Sequence, residues 1–114
     1  MDILEHRNFS SPDEVMEFEK GKIEILNMKG GTLARLSLEP GWHWAEHEKP
    51  LVNTELCEVP HFFYLISGRI RILMADGTEF ECGAGEVLQI PAGHDAWVIG
   101  DETVVGIDWS GAIH

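Results

Sequence analysis

Residues 57 to 68 read Cys57-Glu58-Val59-Pro60-His61-Phe62-Phe63-Tyr64-Leu65-Ile66-Ser67-Gly68, a nearly continuous apolar run with one histidine and a closing glycine. Aromatic and β-branched residues dominate it and its length suits one long strand, so the run predicts a buried strand rather than a helix. A period of two puts Cys57, Val59, His61, Phe63 and Leu65 on one face, where a thiol and an imidazole point the same way. Phe62, Tyr64 and Ile66 fall on the other face and predict a second buried surface.

Outward from this run, short alternating segments recur between turn signals. Lys22 to Met28 and Thr32 to Leu38 flank Gly30-Gly31 and predict a hairpin. Arg69 to Met74 and Thr78 to Glu81 flank Asp76-Gly77, the strongest hairpin signal in the chain. Glu86 to Ile90, Ala96 to Ile99 and Thr103 to Asp108 complete the set, punctuated by Gly83-Ala84-Gly85, Pro91-Ala92-Gly93 and Gly100-Asp101-Glu102. Ser11-Pro12-Asp13-Glu14-Val15-Met16 predicts a short helix, with Ser11 as its cap and Pro12 at its first position. Residues 48 to 56 predict a loop. Many short strands with almost no helical periodicity specify an all-β barrel or sandwich, whose closure or doubling also hides strand edges.

The chain has 114 residues, enough for one domain with a sizeable core. Its 20 acidic and 8 basic residues leave a formal charge of -12, which argues against nucleic acid or an anionic membrane as partner, since phosphate contacts need clustered Lys and Arg. No apolar segment approaches the roughly 18 residues of a membrane span, and the first residues lack the basic-then-apolar pattern of a signal peptide. The expectation is a cytoplasmic protein. Two cysteines, Cys57 and Cys82, make no disulfide framework.

The glycines and prolines give the chain a family likeness. Gly85, Pro91 and Gly93 fall at the spacing of the second cupin motif, with Ala96 where that motif has its histidine and His94 two residues earlier. For the first motif, counting forward from Gly41 puts His47 and Lys49 on the histidine pair. Counting back from Gly68 puts His61 on the glutamate and Glu55 and Cys57 on the pair. The chain thus resembles the small single-domain bacterial cupins. The resemblance implies a jelly-roll β-barrel over about residues 22 to 109 behind a short N-terminal extension, one domain over residues 1 to 114, a homodimer, and a metal held between the two motifs.

The residues offer ligands for such a metal. His47, His61 and His94, with Cys57 as a fourth candidate, come from segments that the resemblance places around one cavity, and imidazole with thiolate suits a divalent transition metal such as Zn, Fe, Mn or Ni. Trp44 and Phe63 are candidates for the mouth of a pocket shaped for a small organic molecule. Arg35, Arg69 and Arg71 alternate with apolar residues and are expected on solvated strand faces. His43, beside two tryptophans, is expected at a surface or interface. Two functions follow as expectations: a metal-dependent dioxygenase, isomerase or lyase acting on a small organic substrate, or a metal-free binding or sensor module. A structural dimer with a vestigial pocket is the third. No phosphate loop, dinucleotide fingerprint or nucleophile with an obvious base partner is present in the sequence.

Overall fold

A computed structural model describes residues 4–52 and 54–109. The elements in chain order are β1 (Glu14–Phe18), β2 (Gly21–Met28), β3 (Gly31–Leu38), a short helix α1 (Trp44–His47), a 3-10 turn (Lys49–Leu51), β4 (His61–Ser67), β5 (Arg69–Met74), β6 (Glu79–Gly83), β7 (Val87–Ile90), β8 (His94–Ile99) and β9 (Val104–Asp108). The strands form two antiparallel sheets, one of six strands in the order β1-β2-β3-β9-β4-β7 and one of three in the order β6-β5-β8. The fold is all-β, as the alternation requires. Among the described residues the ladders stay in two separate sheets, and isolated bridges tie two loop residues to β8 of the smaller one, His43 to Trp97 and Cys57 to His94.

Both predicted hairpins form. Met28 pairs with Gly31 at the tip of the first, and Arg69 to Leu73 pair with Glu79 to Gly83 in the second. β4 and β8 each turn one side inward, whereas β2 is buried on both faces from Ile23 to Leu26. On β4, His61, Phe63 and Leu65 are buried while Phe62, Tyr64 and Ile66 are exposed. On β8, His94, Ala96 and Val98 are buried. These faces meet Leu38, Trp42, Ile70, Ile72 and Ile90 in the main core between the sheets. A single buried Ile or Leu there contributes about 1.5–3 kcal/mol by leaving water.

Gly68 turns the chain from β4 into β5 at φ +80°, and a Cβ there would meet the Val104 backbone at 2.9 Å. Glycine is required at this crossing on both grounds.

Two local expectations are corrected. The helix expected at residues 11 to 16 is absent, because Glu14–Phe18 is a strand paired with β2. The Asp13 carboxylate ties this stretch down by accepting from Arg7 at 2.9 Å and from the Asn27 N–H at 2.8 Å, and these tertiary bonds override a weak local capping preference. The central strand is also shorter than its apolar run. It starts at His61, since Pro60 has no N–H to give a ladder, and Cys57 is bridged instead to His94 on β8 of the three-stranded sheet.

Candidate metal centre

His61 opens β4 and Asp108 closes β9, two neighbouring strands of the large sheet. Their side chains meet inside, with His61 Nδ1 2.6 Å from Asp108 Oδ2 and Asp108 fully buried. A carboxylate only accepts, so Nδ1 carries the proton and the lone pair sits on Nε2. That Nε2 faces Cys57 Sγ at 3.8 Å. His94 opens β8, where Gly93 at φ +89° makes the turn. Its Nδ1 donates to the Pro91 carbonyl at 2.9 Å, leaving Nε2 as the lone-pair atom. The two imidazole rings lie edge to face with centroids 5.2 Å apart.

Backbone bonds lock the third group to the second. The Cys57 N–H donates to the His94 carbonyl at 2.8 Å, and the Gly93 N–H donates to the Cys57 carbonyl at 2.8 Å. One donor atom from each of Cys57, His61 and His94 therefore lies within 4.8 Å of the others, all three residues buried. Two borderline nitrogens and a sulfur fit a divalent transition metal, and a set without carboxylate oxygen suits Zn, Fe or Ni better than Mn. Asp108 and the Pro91 carbonyl act behind the imidazoles, fixing which nitrogen is presented.

Burial tunes these groups. It pushes the Cys57 thiol up to about 11, with the charges of Glu48, Glu58 and Asp108 adding to the rise, so the thiol without a metal is protonated and a poor nucleophile. Burial also lowers the His94 pKa, helped by the neighbouring His61, which favours the neutral, lone-pair-bearing ring.

His47 is buried but lies outside this group. Its Nδ1 accepts from the His43 N–H at 3.0 Å and its Nε2 is 3.3 Å from a Glu19 carboxylate oxygen. Local helical structure explains this placement. On α1 and its C-cap, Trp44 and Glu48 are four residues apart and share the face turned to the cavity. Glu48 is thus the titratable residue this segment supplies to the interior, and a loop over residues 48 to 56 gives it no inward face to be recognised by. It is only 3 % exposed. Burial raises its carboxyl to about 7, partly offset by the indole N–H of Trp42. That indole faces the carboxyl without the geometry of a hydrogen bond.

The three ligands and Glu48 open onto one cavity lined by Trp42, Trp44 and Phe63 and otherwise almost wholly aliphatic. Its free space is about 40 Å³, room for about three to four waters. His43 does not line this cavity; it faces a separate surface pocket, with Nε2 2.7 Å from Asp95 and Nδ1 3.3 Å from Glu46. Burial lowers its pKa, but the bonds to the two carboxylates outweigh that and raise it. The arginines stay outside, Arg35 on Glu24 and Arg69 and Arg71 both on Glu81.

No family model matches the chain, and no curated protein matches it in sequence. Solved structures do match. The polyketide cyclase RemF from Streptomyces resistomycificus superposes with a TM-score of 0.61 at 15% identity, over 95% of this chain and 80% of that one. Oxalate decarboxylase from Lactobacillus farciminis gives 0.59 at 21% identity, over 89% of this chain and 32% of that one. These neighbours are cupin-fold proteins. The chain has the cupin fold. A third cupin, the Bacillus subtilis oxalate decarboxylase described for its Mn(II) centres, gives 0.52 at 27% identity, over 84% of this chain and 27% of that one. The chain spans about a third of the length of these decarboxylases. Among the described residues, no helix is long and apolar enough to cross a membrane.

Proposed function

We propose that this cupin binds one divalent transition metal through His61 Nε2, His94 Nε2 and Cys57 Sγ, and acts as a metal-dependent enzyme on a small organic substrate held in the adjoining cavity. The observation that carries the reading is the convergence of three buried donor atoms within 4.8 Å, with both Nδ1 atoms engaged away from the cavity. Cupin neighbours with metal-dependent and cyclase activities support an enzyme of the dioxygenase, isomerase or lyase kind. Bound there, the metal would supply Lewis acidity at an open coordination position. The chain's own residues do the rest. Asp108 holds the His61 proton on Nδ1, the Pro91 carbonyl does the same for His94, and the apolar walls exclude water. A reducing cytoplasm suits a thiol ligand.

The test is elemental analysis of untagged protein after gel filtration without chelator, wild type beside His61→Ala and Cys57→Ser. About one transition metal per chain in the wild type, lost in both variants, is the expected result. A wild type that stays free of metal after incubation with Zn, Fe, Ni and Mn overturns the reading and leaves the metal-free binding module. The outer face of β4 and β9, where Phe62, Tyr64, Ile66 and Trp109 are exposed, is the surface we propose for the homodimer.

A further inference from the structure

The cavity beside the three donors has a chemical character of its own. Among the described residues its lining includes no Lys or Arg. Five of the chain's eight Lys and Arg residues are paired elsewhere: Arg7 on Asp13, Arg35 on Glu24, Lys49 on Glu55, and Arg69 and Arg71 on Glu81. The lining instead holds one acid, Glu48 at 3 % exposure, and Asp108 at 0 % stands directly behind the cavity-lining His61. A divalent ion beside a Cys57 thiolate and the Asp108 carboxylate leaves no net positive charge for an anionic ligand, and an ionised Glu48 adds a negative one. A carboxylate entering this space loses its hydration and meets like charge.

A polar head is nonetheless provided for. Trp42 is only 4 % exposed, yet its Nε1–H meets no hydrogen-bond partner among the described residues. A buried donor that faces a carboxyl without reaching hydrogen-bond geometry is a cost to the fold, so a ligand that accepts from it recovers part of that cost. The indole N–H donates and the Glu48 carboxyl beside it accepts, and a hydroxyl is the small neutral group that answers both. The free space of about 40 Å³ admits about four non-hydrogen atoms, at one water-sized site each.

On the reading that Cys57, His61 and His94 form the working centre, we infer that the cavity selects a small uncharged molecule with an apolar body and one hydroxyl head, which accepts from Trp42 Nε1–H and donates to the Glu48 carboxyl, and that it rejects carboxylates. Glu48 and Trp42 are then the residues that set specificity.

The experiment titrates 1-propanol, acetone and acetate, at matched ionic strength, into metal-free and zinc-loaded protein. The readout is the indole N–H resonance of Trp42, assigned by its loss in Trp42→Phe. The expected result is a saturable shift with 1-propanol in the millimolar range, acetone weaker because it only accepts, and acetate weaker than 1-propanol by roughly tenfold or more. In Glu48→Gln the acetate penalty shrinks several-fold; in Trp42→Phe, followed by ligand-observed NMR, 1-propanol loses affinity several-fold. Acetate binding as well as 1-propanol in wild type, or no saturable binding of 1-propanol, overturns the inference without recourse to any variant. Zinc titration on the same samples separates the two readings. Alcohol selectivity in protein that binds no zinc refutes the metal centre alone, whereas zinc binding with acetate preferred refutes only the selectivity.

Discussion

Asp108→Asn tests the metal centre at a fully buried residue that is not itself one of the three ligands. The variant keeps the volume and an oxygen that can accept from His61 Nδ1, while removing the charge from a 2.6 Å bond inside a fully buried pair. A charge-assisted bond is about twice as strong as a neutral one, so exchanging it costs the fold roughly 1 kcal/mol. The larger effect falls on the metal. A carboxylate behind a ligating imidazole raises its basicity and fixes its orientation, and losing such a partner weakens metal affinity about 10- to 100-fold, or about 1.4–2.7 kcal/mol. Zinc affinity is measured by competition against a chromophoric chelator at pH 7.5, with thermal unfolding of the metal-free proteins alongside. The expected pattern is a loss of zinc affinity well above the loss of metal-free stability, and smaller than the loss in His61→Ala. Unchanged zinc affinity in Asp108→Asn would refute the assignment of His61 Nε2 as a ligand held by Asp108.

The remaining predictions concern protons and the outer face. With its carboxyl raised by burial from 4.5 to about 7, Glu48 binds its proton more tightly in the folded chain. Its contribution is therefore fully present below about pH 4.5 and is lost as the pH rises towards 7, about 3 kcal/mol over the window. Glu48→Gln removes that slope, and parallel stability curves for wild type and variant between pH 4.5 and 7 would contradict it. Because burial holds the Cys57 thiol at about 11, zinc binding at pH 8 is expected to release about one proton per chain. Calorimetry in two buffers of different ionisation enthalpy measures this, and Cys57→Ser should abolish it. Tyr64→Lys combined with Ile66→Asp places charges on the exposed face of β4 and is expected to leave a monomer where the wild type sediments as a dimer; a monomeric wild type at micromolar concentration refutes that surface.

The alternation of residues, the Asp76-Gly77 and Gly30-Gly31 turns and the glycine and proline spacings were enough to specify an all-β chain with its hairpins and the inward faces of His61 and His94, because pleat and turn geometry are local properties. The motif spacings carried the cupin likeness that the superpositions then established. What local pattern could not decide was which side chains from distant segments meet. Asp108 reads in sequence as the polar end of a strand, and only the pairing of β9 with β4 brings it against His61. Cys57 stands four residues from His61 in a run that looks like one strand, yet its backbone is tied to His94 across the chain. The same limit separates His47 from Glu48. Adjacent in sequence, they point to different places once residues 44 to 47 form a helical turn, and that turn is held by contacts from β8, Asp95 with His43 and with the Ala45 N–H. The sequence determines the repertoire of strands, turns and ligand-type side chains through short-range sterics and hydrophobic period. The tertiary structure alone decides which of them share a cavity, because burial, charge coupling and a tied-off Nδ1 arise only when residues tens of positions apart are packed together.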